Sequence, residues 1–276
     1  MRKIDSEIIT KEIKEAVQTA NYSLEQNLIQ KLKVAANKEK SDLGKNVLKE
    51  LIKNAKVARE ENIPICQDTG IVVIFAEVGN GVEIDGDLYE AINYGIKIGY
   101  NEGYLRNSVV EDPFKRENTG DNTPAIIYTD LVEGDRLNLK ILIKGAGSEN
   151  MSRIKMFKPT STKKEIIDFV IETVEKAGAN ACPPYILGIG IGGTFEKAAV
   201  LSKKALVKDY QKELYIEDLE SKILKQVNKT GIGPAGLGGN TTALDVNILT
   251  HPCHIASLPV AVNVNCHASR HIKISI

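Results

Sequence analysis

The chain has 276 residues, 42% of them hydrophobic and 26% charged, which is the balance of an ordinary soluble globular protein with room for one large domain or two small ones. Its 36 lysines and arginines are matched by 36 acids, so it lacks the basic excess that a general nucleic-acid binder or an acidic-membrane binder needs. The opening MRKIDSEIITKEIK has no apolar core of signal-peptide length, the longest apolar runs fall far short of a membrane span, and four cysteines favour thiols or metal ligands over a disulfide framework; a cytoplasmic location is expected.

Residues 4 to 36 show helical spacing. Ile4, Ile8, Ile13 and Val17 form one stripe and Leu24, Leu28 and Leu32 another, with a break at NYSLEQN where Ser23 is a candidate N-cap. A third helix is expected from about Ser41 to Glu61, with Leu43, Val47, Leu51 and Ala55 on one face, stopping at Pro64. This lysine-rich helical layer, with its many Lys/Glu pairs, reads as a solvated face. After Cys66 the pattern changes to a β-branched apolar run, so Ile71 to Val78 is expected as a buried strand. A helix entered through Asp85 or Asp87 follows and leads to Arg106 and the polar stretch KRENTGDNTP. AIIYTDLV and LNLKILIKG are expected as strands joined by EGDR, a connection of hairpin size, and the second runs into GAGSEN. A further helix, capped by Thr160 or Ser161, ends at Gly178. ACPPYILGIGIGG precedes a helix from about Thr194 to Val207, residues 216 to 229 form another, and SLPVAVNV near the end reads as a strand. With no repeat and no low-complexity linker, residues 1 to 276 read as one domain of the α+β class.

Three cysteines, Cys66, Cys182 and Cys266, each stand where a polar turn meets an apolar strand, far apart in sequence. Taken singly, each reads more readily as a small buried hydrophobe. Tight Cys-x-x-Cys runs of zinc fingers or ferredoxins are absent, yet three isolated thiols can hold a cubane iron–sulfur cluster and leave one iron without a protein thiolate. That iron is a Lewis acid open to a hydroxyl and a carboxylate. A rival zinc reading draws on His251, Cys253, His254, Cys266, His267 and His271. The intervening strand separates its two groups by roughly 40 Å when fully extended. Around the thiols, Gln67 and Asp68 place polar groups beside Cys66, though an Asp before Thr-Gly is also a turn former. Arg106 suits a bidentate carboxylate clamp or a surface ion pair. Gly145 to Ser148 suits an anion nest or a plain strand-ending turn. His254 suits a proton carrier or a satisfied core residue. GIGPAGLGG is loop-like but lacks the Lys-Ser/Thr of a nucleotide loop.

The ordered set ICQDTG, YLRNS, ENTGDNTPA, KGAGSEN, ACPPYILGIGIGG, GLGGNTTALDV, CHIASLPVAV and NCHASRH resembles the class I, iron–sulfur-dependent fumarate hydratases and the related L-tartrate dehydratases, from about residue 40 to the end. The resemblance implies a [4Fe–4S] cluster on Cys66, Cys182 and Cys266. It implies substrate contacts from Gln67, Arg106 and the Gly145-Ala146-Gly147 backbone, with Asp68 and His254 catalytic. Cys253 is left unligated. Since the chain stops just after NCHASRH, the resemblance implies an α subunit whose β subunit carries a second, swivelling domain, in a hetero-oligomer of two or more αβ units. The implied reaction is reversible hydration of fumarate to (S)-malate, with L-tartrate dehydration as the near alternative and a non-catalytic iron–sulfur or zinc-binding module as the distant one. No nucleic-acid or membrane partner is expected.

Overall fold

A computed structural model describes residues 1–207 and 213–276. In chain order the elements are β1 (Arg2–Asp5), α1 (Ser6–Tyr22), α2 (Gln26–Lys38), α3 (Asp42–Glu61), β2 (Ile71–Gly79), β3 (Val82–Asp85), α4 (Leu88–Glu102), β4 (Ile126–Val132), β5 (Leu137–Lys144), α5 (Ala146–Glu149), β6 (Arg153–Phe157), α6 (Lys163–Ala177), β7 (Tyr185–Gly192), α7 (Phe195–Lys204), α8 (Leu214–Asn228), β8 (Ala243–His251), β9 (Leu258–Asn265) and β10 (Arg270–Ser275). Helices with mixed parallel and antiparallel sheets make this the expected α+β class. The described residues form two compact units. The first comprises Met1–Glu25, Ala55–Ala146 and Arg270–Ile276, the second Gln26–Asn54 and Gly147–Ser269. The N-terminal helical layer is therefore shared out, with α1 in the first unit and α2 in the second.

In the first unit the sheet order is β10-β5-β2-β4. The strands expected to form a hairpin are not neighbours: β4 pairs parallel with β2, and β5 pairs antiparallel with β2 on its other side. The short EGDR connection instead steps over the end of β2. Gly81 N–H donates to Gly134 O (2.8 Å) and Gly79 N–H to Arg136 O (2.9 Å). A Cβ at Gly79 would lie 2.5 Å from Gly134 O, so the crossing needs a glycine there. Asp5 caps α1 by accepting from Glu7 N–H, and Asp87 caps α4 by accepting from Tyr89 and Glu90. The strand β1 was not expected, and it resets the helical phase. Ile9, Ile13 and Val17 face the core, whereas Ile8 is 49% exposed. Ser23 ends α1, its N–H donating to Thr19 O, rather than starting α2. Gly95 and Gly99 let α4 lie directly on α1, since a Cβ at Gly95 would sit 2.6 Å from Thr10 O. The core joins these helices to the strands through Ile9, Ile13, Ile92, Ile96, Ile74 and Ile141.

In the second unit the order is β6-β9-β7-β8, with β9 antiparallel to both β6 and β7 and β8 parallel to β7. The helix α6 is capped by Thr162, one or two residues later than expected, in a full capping box with Glu165, and it ends at Gly178 as expected. Gly188 and Gly190 strip one face of β7 of side chains, while Ile189 between them points to the other face. A Cβ at either would lie 2.0–2.1 Å from carbonyls of Ser202 and Ala198, so α7 rests on bare backbone. Phe169, Val170, Leu187, Ile189, Ile223 and Val262 belong to the core on which α6 and α8 pack. In α3 the buried positions are Gly44, Leu48, Ala55 and Ala58, while Leu43 is exposed. No helix among the described residues is long and apolar enough to cross a membrane.

Candidate active site

The segment from Ile65 to Gly70 leads from α3 into β2, and its backbone is held at four points within the first unit. Ile65 N–H donates to Asn21 O (3.0 Å). Asp68 O accepts from Arg270 Nη1 (2.7 Å), Thr69 O from the Tyr100 hydroxyl (2.6 Å) and Gly70 O from Asn122 Nδ2 (3.1 Å). Asn21, Tyr100, Asn122 and Arg270 are all buried. Burial pushes the Tyr100 phenol well above its ordinary range, so it remains a donor. Gly70 has φ +69°, and a Cβ there would meet Lys144 O at 2.8 Å, which requires glycine.

Three side chains rise from this platform. The half-buried Cys66 donates its S–H to Gln67 Oε1 (3.7 Å), and Gln67 is exposed. Asp68 is half-buried. Its Oδ1 accepts from Gly70 N–H (3.0 Å) and its Oδ2 from Ala146 N–H (2.9 Å). Gly145 keeps this approach open, since a Cβ there would lie 3.0 Å from Asp68 Oδ2. Thr69 Oγ1 donates to Arg106 O (2.7 Å), which fixes the Arg106 backbone to the same platform. The ENTGDNTP loop supports it further, with Asn122 Oδ1 accepting from Ser108 N–H (2.7 Å) and Asn107 Nδ2 donating to Gly120 O (2.7 Å). The Arg106 side chain itself is exposed and forms no ion pair among the described residues. The first unit thus brings together Cys66, Gln67, Asp68, Gly145 and Ala146, and ties Arg106 to them through Thr69.

In the second unit, Cys182 precedes β7 in a left-handed conformation, φ +51°. Its carbonyl accepts from both the N–H (3.3 Å) and the Nδ1–H (3.1 Å) of His267. Cys182 and the Cys266–His267 pair therefore share one end of the β7–β9 ladder. None of the four cysteines is in a disulfide. The turn at residues 252–257 joins β8 to β9 at the other end. Because Ile191 faces Val260 and Ile186 faces Asn265, those ends are separated by about 17 Å at ~3.4 Å per residue. In the turn, Ala256 N–H donates to His254 Nδ1 (3.1 Å), which leaves the ring proton of neutral His254 on Nε2. His251 and Cys253 are exposed at the same end.

The structure therefore sets His254 apart from Cys182 and Cys266. It separates the two groups of the zinc reading in the same way, and His271 contacts Glu25 instead (Nε2–Oε1, 3.0 Å). Among the described residues no three His, Cys, Asp or Glu side chains are gathered to hold a single metal ion. Thiolates around a multi-iron cluster each bind a different iron and stand further apart than ligands of one ion. The GIGPAGLGG loop folds as a short 3₁₀ turn, Pro234–Gly236, and Asn240 just beyond it donates its N–H to buried Glu39 (2.9 Å).

Sequence reasoning passed over Asn21, Tyr100, Asn122 and Arg270. Asn122 and Arg270 lie inside the ENTGDNTPA and NCHASRH motifs without a cue to their burial, Asn21 is a polar residue one turn after Val17 in the apolar stripe of α1, and Tyr100 carried no signal.

The family model described as fumarate hydratase (fumerase) matches residues 10–275. A protein of Methanocaldococcus jannaschii named putative L(+)-tartrate dehydratase subunit alpha is 42% identical over 87% of this chain and 87% of its own length. The L(+)-tartrate dehydratase subunit alpha of Escherichia coli K12 is 31% identical over 88% of this chain and 82% of its own.

Proposed function

The chain belongs to the fumarate hydratase (fumerase) family, and on that premise we propose that it is the α subunit of a hydro-lyase acting on a four-carbon dicarboxylate, with fumarate and (S)-malate as substrate and product. What carries the reading is the convergence on Asp68, whose carboxylate is aimed by Gly70 and Ala146 amides on a platform that also presents Cys66, Gln67 and Arg106.

The donor set suits a [4Fe–4S] cluster on Cys66, Cys182 and Cys266. All three are thiols outside any disulfide, and the last two are joined through His267. Bound there, the cluster supplies a Lewis-acid iron for the substrate hydroxyl and its neighbouring carboxylate. Dehydration breaks one C–O bond and one C–H bond. The departing hydroxyl takes a proton, which Asp68 is placed to carry. Arg106 holds the distal carboxylate bidentately and Gln67 orients the substrate through its amide. Since Ala146 N–H is committed to Asp68, backbone donation to substrate from Gly145-Ala146-Gly147 leaves that amide out. The base that removes the C–H proton is assigned to the β subunit with its swivelling domain. Support for that partner is the name "subunit alpha" of the relatives. His254 stands at the opposite end of the β7–β9 ladder from Cys182 and Cys266, so its catalytic role is assigned to a neighbouring chain's site in an assembly of two or more αβ units. The residues from 1 to 276 are read as one fumarase-type cluster-binding region acting in the cytoplasm.

The test is anaerobic purification with the β subunit, followed by side-by-side turnover of malate and L-tartrate. A brown protein that bleaches in air and interconverts malate and fumarate is expected. The names of the relatives favour a second reading, in which L-tartrate turns over faster. A colourless zinc protein inactive on both acids, which is what a non-catalytic module gives, overturns the proposal.

A further inference from the structure

Arg270 lies in the NCHASRH motif, four residues after Cys266, and has no substrate contact assigned to it. Its side chain is among the largest fully buried in the molecule, at 2% exposure. A buried guanidinium is costly unless its donors are used, because it gives up water on every side. Its Nη1 makes two hydrogen bonds within the first unit, to Asn21 Oδ1 (3.0 Å) and to the main-chain oxygen of Asp68 (2.7 Å). Its Nε has no partner among the described residues. A core position filled for packing alone takes an apolar side chain, so this charge is retained for what Nη1 does.

We propose that Arg270 is the positioning residue of the Cys66–Asp68 segment. Asn21 is the second half of the device. Its side-chain oxygen orients the guanidinium, its Nδ2 is anchored to Val17 O (2.8 Å) and its own carbonyl takes Ile65 N–H (3.0 Å). One buried pair therefore grips the segment on both sides of Cys66 and Gln67, at Ile65 and at Asp68. With the Asp68 carbonyl fixed, its carboxylate is turned to meet Gly70 and Ala146 amides. Arginine suits this place because the planar guanidinium fixes the directions of both Nη1–H donors and stays charged when buried. A lysine at this site keeps the charge but brings a flexible ammonium without that planar fork.

The proposal rests on the reading that Gln67 and Asp68 serve the substrate, and the test separates the two. Hydrogen exchange is measured on the full chain, wild type and Arg270→Gln, with melting followed in parallel. The expected result is exchange at least tenfold faster at the amides of Ile65, Gly70 and Ala146, with the paired amides of β2 and β5 unchanged. In the assembly with the β subunit, kcat falls at least tenfold while KM changes less than threefold, because Arg106 still binds the carboxylate. Uniformly faster exchange throughout the first unit, or no change at those three amides, overturns the proposal. If Arg270→Gln does not fold, Arg270→Lys decides by the same exchange pattern. A wild-type assembly inactive on every dicarboxylate, with the local exchange effect present, overturns the functional reading and leaves the positioning role standing.

Discussion

The carbonyl of Cys182 accepts two hydrogen bonds from one residue, the backbone N–H and ring Nδ1–H of His267. The thiol before β7 and the thiol after β9 are thereby set by a common backbone junction. Cys182 also adopts φ +51°, a conformation that costs an L-residue about 1–2 kcal/mol. Both Cys182→Ser and Cys182→Gly are expected to lose bound iron and the visible absorbance. Cys182→Gly should nonetheless be the more stable of the two by about 1 kcal/mol, because glycine accepts positive φ. Iron content per chain and denaturant midpoints check both statements. A glycine variant less stable than the serine variant contradicts the strain.

Arg106→Ala should raise KM for the dicarboxylate about 10–100-fold, the loss of hydrogen bonds between charged groups. Iron content should stay within error of wild type, since the side chain is exposed and only its carbonyl is tied to the platform. Steady-state kinetics beside iron assays test this.

Glu39 should make stability depend on pH. Burial acts to raise its pKa, but hydrogen bonds from Asn240, Thr241, Ser41 and Lys40 outweigh it and hold the carboxyl below 4.5. A lowered folded-state pKa contributes stability that is fully present above the unfolded value and is lost as pH falls through the folded one. Glu39→Gln is therefore expected to cost about 1–3 kcal/mol at pH 7. The gap to wild type should shrink as pH drops below 4.5. Urea unfolding at the two pH values measures it.

The separation of His254 from Cys182 predicts complementation. Assemblies of Cys182→Ser alone and of His254→Ala alone should be inactive or nearly so, and assemblies containing both variants should regain a fraction of wild-type turnover. Mixed assemblies no better than either variant would return His254 to its own chain's site or remove it from catalysis.

Much of the fold was legible. The strand Leu258–Asn265, the glycine stop at Gly178 and the cap at Asp87 all follow from local rules that tertiary packing leaves intact. Other features depend on distant partners. A four-residue link looks the same whether it closes a hairpin or steps across a third strand, so β2 between β4 and β5 had no local signature. The β10 strand, RHIKIS, is short and interrupted by charge, and it becomes a strand because β5 offers it an edge. The thiols and polar site residues could be picked out by chemical type. The buried arginine beneath them could not, because nothing in a sequence distinguishes a charge taken out of water from one left in it.

The pairing of β10 with β5 also sets an order on biosynthesis. Residues 1–25 and 55–146 leave the ribosome early, yet the strand that completes their sheet is Arg270–Ser275. During translation the edge of β5 stays open while more than a hundred further residues are made, exposing unpaired backbone to neighbouring nascent chains. Molecular chaperones that shield sheet edges should therefore matter more to the yield of this protein than its size alone would suggest.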